Sequence, residues 1–159
     1  MRKKITLILL LLLASCDVSR QRIQITDYIL VPNGKEILGN TSLNAFVFEN
    51  NTKNLAIEKF LSMKFKGENF YSTEYWITIE NNKYKLLLYT NDEFEKYINS
   101  SNYAVVNLEP ENSQLGQQRK FIAFSVINDK NEDCLGEKSL FQQIVVRYLK
   151  KLKDEYYNQ

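Results

Sequence analysis

Thr73-Glu74-Tyr75-Trp76-Ile77-Thr78-Ile79 and Tyr84-Lys85-Leu86-Leu87-Leu88-Tyr89 are separated only by Glu80-Asn81-Asn82-Lys83. Both runs are rich in aromatic and branched aliphatic residues, and the polar stretch between them is short. That combination predicts a β-hairpin, and a hairpin pairs its strands antiparallel. Upstream, Ile23 to Val31 places apolar residues at Ile23, Ile25, Ile29 and Val31, the period-2 pattern of a half-buried strand, before a turn at Pro32-Asn33-Gly34. Ser42 to Phe48 is apolar without a decisive period. Tyr103 to Leu108 and Lys120 to Ile127 are further strand candidates, joined by a polar loop from Glu109 to Arg119.

Helical spacing appears in three places. Between Asn51 and Lys66, Ile57, Phe60, Leu61 and Phe65 fall on one helical face. Asn91 is a candidate cap for a short helix, Asp92 to Ile98, whose first turn is acidic. The clearest element is the last. Ser139 and Gln142 have capping-box spacing, and Phe141, Ile144, Val145, Tyr148, Leu149, Leu152 and Tyr156 then recur every three or four residues. The expectation is an α+β fold: an antiparallel sheet with helices packed on one face, ending in a long amphipathic C-terminal helix.

The N-terminus carries a different kind of signal. Arg2, Lys3 and Lys4 precede an apolar run from Ile5 to Ala14, which ends in Leu13-Ala14-Ser15-Cys16. Ten apolar helical residues rise about 15 Å, half of a roughly 30 Å hydrocarbon core, and the polar residues Asp17 to Arg22 follow at once. The run therefore reads as a processed signal rather than a membrane span. The four residues resemble the lipobox of bacterial lipoproteins. The resemblance implies cleavage before Cys16, a diacylglyceryl group on its sulfur and lipid anchorage to a membrane of the cell envelope. The chain then divides into a signal peptide (1–15), a lipidated cysteine with a short tether (16–22) and a single α+β domain (23–159). Arg20 and Arg22 would lie near the lipid headgroups. A secretory signal cut after Ser15 is the rival reading.

Charge and composition narrow the function. Three of the 21 basic residues precede Cys16, which leaves 18 against 19 acidic ones, a net charge of −1. So near-neutral a domain lacks the basic footprint of nucleic-acid binding. The chain has no histidine, which removes Ser-His-Asp and Cys-His catalysis and the common zinc and iron sites. No cofactor or metal is expected. Lipidation of Cys16 would leave Cys134 without a disulfide partner; its acidic surroundings, Glu132 and Asp133, disfavour a reactive thiolate and favour burial.

Candidate sites are few. Asp129-Lys130-Asn131-Glu132-Asp133 has oxygen ligands at the first, third and fifth positions of an EF-hand loop. The sixth position is Cys134 instead of glycine and the twelfth is Leu140 instead of glutamate, so a solvated turn is the better account. Glu74 and Glu80, one face of a strand and about 20 Å apart, are too distant for a glycosidase pair at about 5 to 9.5 Å. The basic end of the last helix, from Arg147 to Lys153, could meet anionic lipid or an acidic partner, but positive charge there also suits the helix dipole. Tyr71, Tyr75 and Trp76, with Phe70, form the densest aromatic patch and the first surface to examine for a ligand or partner. Neighbours in a strand point oppositely, and the expectation places Trp76 in the core and Tyr75 half-exposed.

These readings favour a non-enzymatic, membrane-anchored module that binds a protein partner in the envelope, in assembly or in immunity. A glycan- or solute-binding lipoprotein is the alternative, and a carboxylate-based hydrolase the third. The anchor is directly testable. Cys16→Ser is expected to release the protein from membranes or leave it unprocessed, and to abolish labelling by radioactive palmitate. Unchanged membrane association and labelling would overturn the lipobox reading.

Overall fold

The computed structural model of the chain describes residues 22–37, 41–51, 55–66, 69, 71–106 and 119–159. The expected signal peptide, Cys16, Arg20, Phe70 and most of the loop from Glu109 to Arg119 lie outside the described residues. The hairpin forms as β6 (Glu74–Ile79) and β7 (Asn82–Leu88), in register from Glu74 beside Leu87 to Ile79 beside Asn82. Its turn is tighter than the sequence indicates. Only Glu80 and Asn81 lie outside the ladder, both with positive φ (48° and 67°), as a two-residue hairpin turn with the strands' own twist requires.

β7 pairs with β9 (Phe121–Ile127), β9 with β5 (Ala45–Glu49) and β5 with β2 (Ile29–Val31), all antiparallel, giving the order β2-β5-β9-β7-β6. The predicted strand from Ile23 to Val31 is two strands instead of one. β1 (Ile23–Gln24) pairs parallel with β8 (Tyr103–Ala104), and only after a bend does β2 join the main sheet. Asp27, apolar neither in type nor in role, sits at that break. β3 (Glu36–Ile37) and β4 (Thr41–Ser42) form a separate small ladder.

Alternation assigns the sheet two faces. Phe46 and Phe48 of β5, Ile122, Phe124 and Val126 of β9 and Tyr75, Ile77 and Ile79 of β6 meet helices α1 (Ile57–Phe65) and α3 (Gln142–Tyr157) through Leu61, Val145, Leu149 and Tyr156. The two longer helices thus share one face, and the long C-terminal helix is present as expected. The short helix α2 (Asn91–Tyr97) lies on the other. Its Phe94 stacks on Phe121, with Ala45, Val47, Ile25 and Tyr103 around them. Each fully buried aliphatic or aromatic side chain contributes roughly 1.5–3 kcal/mol.

Two caps differ from expectation. Thr90, not Asn91, caps α2: its hydroxyl accepts from the Glu93 N–H at 3.2 Å while the Glu93 carboxylate accepts from the Thr90 N–H at 2.9 Å. α3 begins at Gln142 without a side-chain cap; Ser139 Oγ accepts from the Phe141 N–H instead, and Gln142 Nε2 donates to the Leu135 carbonyl. Two residues at the basic end of α3 are committed to the fold, while Arg147 and Lys151 are exposed. Lys153 and Lys150 both bind Asp27, at 2.7 and 3.1 Å, and the Lys153 ammonium holds the Asp27 carboxyl below the usual carboxylate range.

A buried polar network closes the second face. The Tyr89 hydroxyl accepts from the Lys35 N–H at 2.7 Å and bonds Ser125 Oγ at 2.9 Å; Ser125 Oγ donates to the Asn44 carbonyl at 2.7 Å. A Cβ at Gly34 would lie 2.2 Å from the Tyr89 oxygen and 2.8 Å from the Leu43 carbonyl. Tyr89→Phe is expected to cost about 1–2 kcal/mol through unpaired buried groups. Gly34→Ala is expected to cost about 1–3 kcal/mol by overpacking. Removing the hydroxyl relieves the closest contact, so the double variant should fall short of additivity in urea titrations. Strict additivity would contradict this packing.

Candidate functional site: the open edge at Trp76

β6 ends the five-stranded sheet, and its exposure alternates strictly: Glu74, Trp76 and Thr78 are exposed while Tyr75, Ile77 and Ile79 are buried. The expectation for the aromatic pair is therefore reversed. Tyr75 is 4% exposed, its ring tilted against Phe65 and its hydroxyl donating to the Ser72 carbonyl at 2.9 Å. Trp76 is 61% exposed. The reason lies in each residue's strand-mates. Tyr75 shares its face with two isoleucines, whereas Trp76 shares its own with a glutamate and a threonine. The α-helical layer covers the face with more apolar area.

The ladder also fixes which backbone groups are free. A two-residue turn makes its flanking pair, Ile79 and Asn82, a hydrogen-bonded pair, and alternation then assigns inward bonds to Ile77 and Tyr75. The Leu88 N–H donating to the Thr73 carbonyl at 2.7 Å agrees with this phase. Glu74, Trp76 and Thr78 consequently aim N–H and C=O away from β7, off the edge of the sheet. At Glu74 the Ser72 hydroxyl takes both groups, accepting from its N–H at 3.3 Å and donating to its carbonyl at 2.8 Å. Trp76 and Thr78 present the open face and the outward backbone groups together.

Cross-strand neighbours complete the surface. Trp76 opposes Lys85 in a non-hydrogen-bonded pair, the closer of the two pair types, and the Lys85 ammonium lies 5.3 Å from the ring centroid. The same ammonium binds Glu74 at 3.2 Å. Thr78 opposes Lys83, and an open depression of about 390 Å³ is lined by Trp76, Ile77, Thr78 and Lys83. The arrangement offers an aromatic contact, two ammonium groups and unpaired peptide groups. Glu74, Thr78, Lys83 and Lys85 are absent from the aromatic patch read from the sequence. The shared face of Glu74 and Thr78 follows from counting by two from Trp76, and that of the two lysines from the two-residue turn that sets them opposite Thr78 and Trp76.

Of the other candidate groups, some are exposed and others are engaged in the fold. Tyr71 is 85% exposed, just before the hairpin, with its N–H held by Asn69 Oδ1. Arg22 is exposed at the start of the described domain. In the calcium-like segment, Asn128 Oδ1 accepts from the N–H groups of Lys130 and Glu132, and the Asp133 carboxylate accepts from Asn44 and from the Leu135 N–H. It is a turn that pins two strand ends together. No cluster of three potential metal ligands occurs among the described residues. Cys134 is fully buried, and burial, with Asp133 and Glu132 beside it, pushes its thiol up to about 12. Glu80 occupies the hairpin turn, so it and Glu74 stand at opposite ends of β6. Compared with known protein families, curated proteins and solved structures, the chain matches none. No helix among the described residues is long and apolar enough to cross a membrane.

Proposed function

We propose that the chain is a lipid-anchored protein of the bacterial cell envelope whose domain binds a protein partner by accepting a strand of that partner on the β6 edge. The lipobox-like Leu13-Ala14-Ser15-Cys16 supports the anchor. The binding reading is carried by one observation: Trp76 and Thr78 expose side chains on the open face and peptide groups off the edge together. Strand addition uses both. Main-chain bonds give affinity and alternate side chains give specificity. A central tryptophan of this kind commonly contributes 2 kcal/mol or more to an interface, at the estimated scale of hot spots.

A glycan platform is the weaker alternative. The Lys85 ammonium occupies one side of the Trp76 ring, and the depression is lined by no carboxylate or carboxamide to bind sugar hydroxyls. Outward peptide groups at strand spacing match those of another extended polypeptide. Assembly and immunity roles both fit such a module.

Thr78→Pro deletes one outward N–H. Proline is tolerated at such edge positions, so the fold should persist with an unchanged circular dichroism spectrum. Trp76→Ala removes the exposed ring at a folding cost of about 0.5–1 kcal/mol, the scale of an exposed cation–π contact. With a photo-cross-linker at Lys83 in native membranes, one partner band should form with the parent chain. It should fade at least tenfold with Thr78→Pro and Trp76→Ala. A cross-linker at Lys151 on α3 should capture no such band. Equal capture from Lys151, or capture indifferent to both substitutions, would refute the edge as the binding site.

A further inference from the structure

A second exposed apolar surface lies where the chain enters the domain. Ile23 is 54% exposed, Val106 50% and Val105 36%. The parallel ladder sets Ile23 beside Tyr103 and Gln24 beside Ala104, so Val105 follows directly on the strand next to β1. Neighbouring strands are about 4.8 Å apart and each residue rises about 3.3 Å, so Val105 and Val106 lie within about 11 Å of Ile23 along the backbone. Their backbone is held: the Val106 N–H donates to the buried Glu49 carboxylate at 2.8 Å, while the adjacent Ile25 and Tyr103 turn into the core. Exposed Arg22 immediately precedes the patch.

We infer that Ile23, Val105 and Val106, with Arg22 beside them, form the surface on which the domain rests against an anionic bilayer. This rests on the reading of Cys16 as the lipidated residue. Asp17 to Arg22 is six residues, a tether of about 20 Å at full stretch, so the patch cannot leave the membrane surface by more than that. Aliphatic side chains with an adjacent arginine suit the boundary between acyl chains and phosphates. The patch orients the domain; the lipid holds it.

The orientation has a consequence for the β6 edge. Tyr103 packs on Phe121, the first residue of β9, at 5.7 Å between ring centroids. Trp76 stands level, through Lys85, with Ile127, the last residue of β9. Six residues along the strand and two strands across separate the two corners, about 20 Å by about 10 Å. A domain resting on Ile23 and Val106 therefore carries Trp76 at the far corner of its sheet, open to a partner.

The test uses the full lipidated chain in vesicles of phosphatidylethanolamine and phosphatidylglycerol, with and without brominated acyl chains. An environment-sensitive dye is attached at Val106→Cys, and separately at Ile23→Cys. Cys134 is buried and its thiol is held up near 12, so labelling is confined to the new cysteine. The dye at either position should be quenched severalfold by brominated lipid. Trp76, the single tryptophan, should be unaffected in the unlabelled protein. Vesicle-bound protein with both dyes unquenched, or with Trp76 quenched, would overturn the orientation while leaving the anchor intact. Failure of the parent chain to float with vesicles would overturn the anchor, and this inference with it.

Discussion

β9 is buried along its whole length, and the rest of the structure is a means of covering a strand on both of its faces. Phe-Ile-Ala-Phe-Ser-Val-Ile leaves no residue that profits from water except Ser125, whose hydroxyl is bonded to Tyr89 and to the Asn44 carbonyl. A strand so placed needs a neighbour on either side, supplied by β5 and β7, and a layer above and below. α1 and α3 form one layer. The other is assembled from smaller pieces: α2, the β1–β8 pair and the turn at Gly34, sealed by the Tyr89 network. The second layer stops short of β6. Coverage runs out at Leu87 and Ile127, and the face beyond them, at Lys85 and Trp76, is open.

That unequal coverage connects the fold to the proposed role. An edge strand with free peptide groups is a hazard that proteins usually blunt with charge or with a covering segment. Here Lys83 and Lys85 stand beside the edge on β7, and Glu74 on β6 is bound to Lys85, so the strand carries charge without losing its backbone row. Trp76 is the exception to such caution, a large ring kept in water on the least covered part of the sheet. Lipid anchorage would lie at the opposite corner of the sheet from this edge.

Much of the architecture was legible in the sequence because its signals are local. Strand–turn–strand spacing at Glu80-Asn81 and the three- and four-residue recurrence after Phe141 depend on neighbours along the chain. What was illegible depends on partners distant in sequence. Ile23 to Val31 reads as one alternating strand, yet it splits at Asp27, because Asp27 answers Lys150 and Lys153 on α3. The capping box at Ser139 yields to a bond from Gln142 to Leu135. At the candidate site, the aromatic cluster was visible but its facing was inverted. Comparing Tyr75 with Ile77 and Ile79, and Trp76 with Glu74 and Thr78, holds the information needed; judging each ring by its own hydrophobicity does not. The free peptide row was beyond reach, since nothing local says that β6 is the last strand.

The central claim, that β6 is the edge of the sheet among the described residues and that its free outward groups belong to Trp76 and Thr78, is tested most directly by residue-resolved amide hydrogen exchange on the folded protein. The N–H groups of Tyr75, Ile77 and Ile79, bonded inward to β7, should exchange slowly. Those of Trp76 and Thr78 should exchange orders of magnitude faster, giving an alternation from Tyr75 to Ile79. Uniform slow exchange across Tyr75 to Ile79 would mean that the edge is already covered, and would contradict the account.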